Sequence, residues 1–142
     1  MLSNLFIDTD VILDVVLNRQ THYEQSEAIF KCFEKSQVKL YTSAPVIINT
    51  QYIAQKELPK VKCRNAIAYL IEYFEILEPN KATILKAYNS GFLDIEDAIQ
   101  YYTAKDSGII DFIITRNIKD YKHALKSLLA LTPGQFLKQQ VI

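Results

Sequence analysis

Two rhythms of apolar positions alternate along the chain. Short apolar bursts read as buried strands, and longer stretches with apolar residues every three or four positions read as amphipathic helices. Leu5–Ile7 is the first burst, and Val11, Ile12, Val15 and Val16 behind it predict a helix to about Leu17. Thr21 with Glu24 has capping-box spacing and predicts a second helix, with Ala28, Ile29, Cys32 and Phe33 on one face, to about Lys35. Lys39–Ser43 reads as a second strand; Ser43 and Pro45 then suit a helix start, and a third helix from Val46 to about Lys56 carries Asn49. Pro59 opens a fourth helix (Ile67, Leu70, Ile71). Phe74–Leu77 reads as a third strand, and a fifth helix (Ile84, Leu85, Tyr88) is expected to end at Gly91. Asp94-Ile95-Glu96-Asp97 opens a long helix that stops at Gly108, ahead of a fourth strand over Ile110–Thr115. Arg116–Asp120 leads into a short helix, Leu129–Leu131 makes a last strand, and Thr132 with Gln135 caps a closing helix.

Strands alternating with helices, with few hairpin signals, predict an α/β fold: a central parallel sheet of four to five strands flanked by helices, as one domain over 1–142. Right-handed crossovers bring the carboxyl ends of parallel strands to one edge, where open α/β sheets bind ligands. Four polar stations then meet at one rim: Asp8 with Thr9 and Asp10, Asn49, Asp94 with Glu96 and Asp97, and Thr115 with Asn117 and Asp120.

Composition changes this picture little. The 142 residues, 49% of them hydrophobic, are enough for a proper core. Sixteen basic residues balance sixteen acidic ones, so any nucleic-acid contact must rest on a local patch rather than on net charge. Cys32 and Cys63 lack metal or redox spacing and read as free, buried thiols. Asp8, Asp10 and Asp14 interrupt the early apolar stretch, so no signal peptide or membrane span is expected and a cytoplasmic location is.

The acids carry the candidate chemistry. Two carboxylates about 5 Å apart repel by roughly 3 kcal/mol at an effective dielectric near 20. A site gathering several needs a cation or raised pKa values, and oxygen ligands without His or Cys select Mg²⁺ or Mn²⁺. Such an ion binds phosphodiesters and lowers the pKa of bound water, which makes phosphoester hydrolysis the natural reaction class. Structural roles compete. Asp10 reads equally as an N-cap, Asp94 and Asp97 as a capping pair, and Glu96 as a first-turn residue favoured by the helix dipole. Asp8, at a buried strand end with no helix start of its own, fits the structural reading poorly and the functional one better; Asp14 and Asp120 read as solvated surface acids and Asp111 as a turn residue.

Three stretches in order, Ile7-Asp8-Thr9-Asp10-Val11-Ile12-Leu13-Asp14, Asp94-Ile95-Glu96-Asp97-Ala98 and Ile113-Ile114-Thr115-Arg116-Asn117-Ile118-Lys119-Asp120-Tyr121, resemble a PIN domain, the nuclease fold of VapC-type toxins. The resemblance covers nearly the whole chain and implies a three-layer fold, metal-activated hydrolysis of RNA with Mg²⁺ or Mn²⁺, and an antitoxin partner. Asp8 and Asp97 match the family's first and third acidic positions. Asn49 and Asn117 stand where the family usually has acids, which implies lowered metal affinity with compensation from Glu96, Asp94 or Asp120. The same departures open a second reading, a PIN domain that binds RNA or protein without turnover. A third is a haloacid-dehalogenase-like phosphatase with Asp8 as nucleophile, although Thr115-Arg116-Asn117 lacks that family's late acidic pair. Arg116 is the best-placed phosphate ligand, while Lys119 and Lys122 read as a solvated face or as further phosphate contacts. Tyr69, Tyr73, Tyr101 and Tyr102 read as core or interface, and His22 and His123 carry no assigned role. For the large apolar face of the second to fourth helices the resemblance implies a homodimer or an antitoxin groove.

Overall fold

The computed structural model describes residues 2–124 and 127–140. In chain order its elements are β1 (Ser3–Ile7), α1 (Thr9–Val16), α2 (Tyr23–Glu34), β2 (Val38–Ser43), α3 (Ala44–Ala54), α4 (Lys60–Ile71), β3 (Phe74–Leu77), α5 (Lys81–Tyr88), α6 (Ile95–Ser107), β4 (Phe112–Ile114), a 3₁₀ segment (Ile118–Ala124), β5 (Leu129–Leu131) and α7 (Pro133–Gln140). The strands form one parallel sheet in the order β3-β2-β1-β4-β5. The α/β class and the five-stranded parallel sheet agree with the sequence pattern.

Burial along the sheet explains which bursts became central. Leu5, Phe6, Ile7, Ile113 and Ile114 are fully buried, as expected of strands covered by helices on both faces. The edge strand β3 is only half covered, and its Ile76 is exposed. The chain builds outward from β1 to β2 and β3, then crosses back to place β4 on the other side of β1. The reversal makes the carboxyl ends of β1 and β4 the topological switch point, where a crevice opens in this class of sheet. Ile7 pairs with Ile114, and the Asp8 N–H donates to the Ile114 carbonyl at 3.0 Å, so Asp8 and Thr115 leave the sheet side by side.

Several local expectations are corrected. Thr21 does not cap a helix: it sits at φ +70°, and α2 starts at Tyr23 after His22, which makes no side-chain cap. Gly91 does not end α5; Asn89 does, while Asn80 and Thr83 form a capping box at its start. Gly108, by contrast, ends α6 in the left-handed region at φ +73°, where a residue without Cβ is unstrained. Asp8 has a helix start after all, for α1 begins at Thr9 with Asp8 as its N-cap. Asp111 sits in a bend just before β4, as expected of a turn residue, and exchanges hydrogen bonds with Asn4. Cys32 and Cys63 are free and buried. Tyr101 is buried and Tyr69 exposed, whereas the side chain of His123 lies outside the described residues. Among the described residues no helix is long and apolar enough to cross a membrane.

Candidate active site

Asp8 anchors the rim. Its Oδ1 accepts the Thr9 N–H at 2.7 Å, and its Oδ2 accepts the Thr115 hydroxyl at 2.8 Å and the Tyr121 hydroxyl at 3.2 Å. Only 5% of Asp8 is exposed. Burial pushes its carboxyl up to about 7, and the charge of Asp10 adds to the rise against the opposing pull of those hydrogen bonds.

Asp10 follows in the first turn of α1. Its Oδ2 accepts the Arg116 N–H at 3.0 Å, with the Thr115 hydroxyl more distant at 3.4 Å. Burial raises its pKa and the Arg116 charge opposes the rise. Its Oδ1 is buried with no hydrogen-bond partner, as is the Thr9 hydroxyl. An orphaned carboxylate oxygen is costly unless something satisfies it.

Asp97 reaches the same place from α6. Its carboxyl is pushed up to about 8, first by burial and then by the charges of Asp8 and Asp94, with Asp120 adding a hydrogen bond and a further charge. Asp94 is the N-cap of α6, its Oδ1 accepting the Asp97 N–H at 3.1 Å, so the capping role expected for Asp94 is present. Asn49 and Glu96 meet each other, the amide donating to the carboxylate at 2.8 Å. Asn117 donates its side-chain amide to Asp120 and its backbone N–H to the Thr115 hydroxyl. The geometry therefore gathers Asp8, Asp10, Thr115, Asp97 and Asp120, with Asp94 at the margin and the Asn49–Glu96 pair joined to itself.

Two expectations about charge change. Asp14 is not a solvated surface acid; it is fully buried, accepting from Ser26 at 2.8 Å and from the Arg116 guanidinium at 2.8 and 3.0 Å. Arg116, expected to face phosphate, has that guanidinium turned inward onto Asp14, while Asn117, Ile118, Lys119, Lys122, Leu131 and Gln135 help to line an open cleft of about 640 Å³ beside it. Lys119 also borders a small recess with Leu93, Asp94 and Asp120.

Tyr121 and Asp14 escaped the sequence reading. Tyr121 is fully buried, and burial together with the charges of Asp8 and Asp97 holds its phenol well above the usual range, so it stays a proton donor to Asp8. A signal for Asp14 existed, because it follows Asp10 by four positions and so shares a helix face with it.

The donor set fits a hard divalent cation. It is all oxygen, its carboxylates are raised by burial and mutual repulsion, and one buried oxygen of Asp10 is unsatisfied. Among the described residues no three His, Cys, Asp or Glu side chains converge on one point. An ion here would be held by one or two carboxylates, with water or substrate oxygens completing its shell, as Mg²⁺ usually is.

The chain resembles known proteins over most of its length. Ribonuclease VapC1 of Aquifex aeolicus (strain VF5) is 28% identical over 111 residues, 75% of this chain and 76% of that protein. A toxin–antitoxin complex from Klebsiella pneumoniae holds a chain of the same fold, with TM-score 0.64 at 22% identity over 92% of this chain and 98% of that one. VapBC2 from Rickettsia felis, bound to a promoter DNA fragment, aligns with TM-score 0.67 at 14% identity over 91% and 98% of the two chains. The dehalogenase-like alternative falls with these matches. Residues 4–119 match the PIN domain model, and the chain belongs to the PIN domain family.

Proposed function

We propose that the chain is a metal-dependent endoribonuclease of the VapC type, hydrolysing RNA phosphodiesters by a water activated at the Asp8–Asp97 rim. The observation that carries this is the pair of raised carboxylates beside the orphaned Asp10 oxygen at the switch point of the sheet. Asp8 and Asp97 would hold Mg²⁺ or Mn²⁺, and Asp94 and Glu96 stand close enough in sequence to assist. When bound, the ion supplies Lewis acidity and a water of lowered pKa. The chain's own part is orientation: Thr115 and Tyr121 fix the Asp8 carboxylate, and Thr9, Asp10, Asn49, Asn117 and Asp120 support the rim. Lys119 and Lys122 beside the open cleft offer positive charge to the flanking phosphates, whereas the Arg116 guanidinium is neutralised by Asp14.

The kinship with VapC1 and the toxin–antitoxin complex supports an antitoxin partner. The cleft between α3 and α4, where Ile48 and Tyr52 are exposed, supports a protein-covered face and a homodimer. The decisive experiment incubates RNA with Mn²⁺, with chelator, and with Asp8→Asn and Asp97→Asn variants shown to be folded. Cleavage only by the wild type with metal is expected.

Asn49 and Asn117 favour a second reading, in which the domain binds RNA or protein without turnover. Both amides are donors spent on Glu96 and Asp120. RNA binding without cleavage at any Mn²⁺ or Mg²⁺ concentration would establish it. Compensation by neighbouring acids is tested separately: Glu96→Gln and Asp94→Asn should each weaken Mn²⁺ binding, and unchanged affinity would remove that idea.

A further inference from the structure

We propose that the ion pair of buried Asp14 with half-buried Arg116 is a positioning device that registers the Thr115–Asn117 corner on α1 and so holds the Thr115 hydroxyl on Asp8. The inference rests on the ribonuclease reading for its consequence but on geometry for its substance. Arg116 grips α1 twice: its side chain donates from Nε and Nη2 to the two oxygens of Asp14 at 2.8 and 3.0 Å, and its backbone N–H donates to Asp10 at 3.0 Å. Asp10 and Asp14 are about one helical turn apart, near 5.4 Å along the axis. Attachment at two points of one helix fixes both the position and the rotation of the corner. The residues on either side of Arg116 then fall into place, with Thr115 donating to Asp8 at 2.8 Å and Asn117 donating its N–H to the Thr115 oxygen at 3.1 Å.

Asp14 is itself held from a third side, by the Ser26 hydroxyl at 2.8 Å and more loosely by Arg19 at 3.7 Å. A buried ion pair is a poor means of adding stability, since apolar residues of similar volume usually do as well. What apolar residues lack is the angular definition of a bidentate guanidinium, which a lysine also lacks because its ammonium acts as a point donor.

Asp14→Asn and Arg116→Lys test this, with Ile67→Val in α4 as a variant that loosens packing far from the rim. Amide hydrogen exchange is measured without metal, and Mn²⁺ binding by calorimetry on protein shown to be folded. Both site variants should speed exchange of the Arg116 N–H while the β1–β2 ladder stays protected, and should weaken Mn²⁺ binding by roughly 10- to 100-fold, the usual effect of outer-sphere partners. Ile67→Val should change neither. Unchanged Arg116 exchange overturns the proposal, and so does faster exchange with wild-type Mn²⁺ affinity, which would make the pair merely structural. If Asp14→Asn does not fold, Arg116→Lys decides by the same criteria. If the wild type itself binds no Mn²⁺, the ribonuclease reading fails, and registration of the corner is judged by exchange alone.

Discussion

Without metal, the rim should make the protein less stable as pH rises from about 4 to about 8. Asp8 moves from an ordinary 3.8 to about 7, and Asp97 from 3.8 to about 8. Between those values the folded state binds more protons than the unfolded state, so the unfolding free energy falls with increasing pH. Stability associated with these protons is complete below the unfolded pKa and is lost as pH passes through the folded values. For fully buried Asp8 the shift is worth about 4 kcal/mol, at about 1.4 kcal/mol per unit. Asp97 is only partly buried, so solvent screens its share and Asp8 dominates the total. A total of about 4 kcal/mol corresponds to a fall of roughly 10 °C in Tm for a domain of this size. Thermal melts in chelator, at constant ionic strength from pH 4 to pH 8, measure it directly. Asp8→Asn keeps a cap acceptor for the Thr9 N–H but removes the charge, so this variant should melt above the wild type at pH 8 in chelator and lose most of the slope. Saturating Mn²⁺ should flatten the wild-type curve. A metal-free Tm that stays level or climbs over this range, or an Asp8→Asn variant that melts lower at pH 8, would refute the assignment of these carboxylates as a strained, cation-seeking pair.

Tyr121→Phe removes the hydroxyl at 3.2 Å from Asp8, one of the bonds that restrain its pKa, so the Asp8 midpoint should rise further. Carboxyl NMR titration reads it, and a lower or unmoved midpoint counts against the contact. Lys119→Gln and Lys122→Gln, each beside the open cleft, should weaken RNA binding across sequences and each reduce the salt-dependence slope by about 0.7, the value for one phosphate contact on a single strand; a slope equal to wild type would return both lysines to solvent. Gly108→Ala meets no atom within 4 Å but must adopt φ +73°, so it should cost about 1 kcal/mol in urea unfolding and leave Mn²⁺ affinity untouched.

The sheet and the rim were legible because both follow from strongly apolar bursts. Leu5–Ile7 and Phe112–Ile114 can only be covered strands, and their ends bring Asp8 and Thr115 together whatever the loops do. Thr21 and Gly91 were misread for a different reason: capping spacing is local, whereas the backbone that decides it is set by packing, and Thr21 ends up left-handed while Gly91 does not. Asp14 was misread because amphipathic logic gives a polar residue on a helix to solvent. In α1 that logic fails, since Val11, Ile12 and Leu13 are buried on successive faces and leave no solvent side for Asp14. Its partner lies 102 residues away in sequence, a separation that no local pattern reports.

Asp8 is tolerated in the metal-free fold because it has two occupations at once. As N-cap of α1 it receives a backbone N–H and the favourable end of a helix dipole, and it takes hydroxyl hydrogens from Thr115 and Tyr121. These contacts oppose burial without cancelling it, which is why its pKa remains high. The amides at Asn49 and Asn117 then acquire a physical sense. A carboxylate at 117 would set a like charge against Asp120, and one at 49 would do the same to Glu96, each adding repulsion of roughly 3 kcal/mol if about 5 Å apart at an effective dielectric near 20. The amides replace that repulsion with hydrogen bonds and leave fewer charges to attract a cation. Their reversal should therefore separate two properties: Asn117→Asp should lower the metal-free Tm at pH 8 and tighten Mn²⁺ binding. A variant that lost stability without gaining affinity would place Asn117 outside the ion's reach and leave Asp8 and Asp97 to carry it.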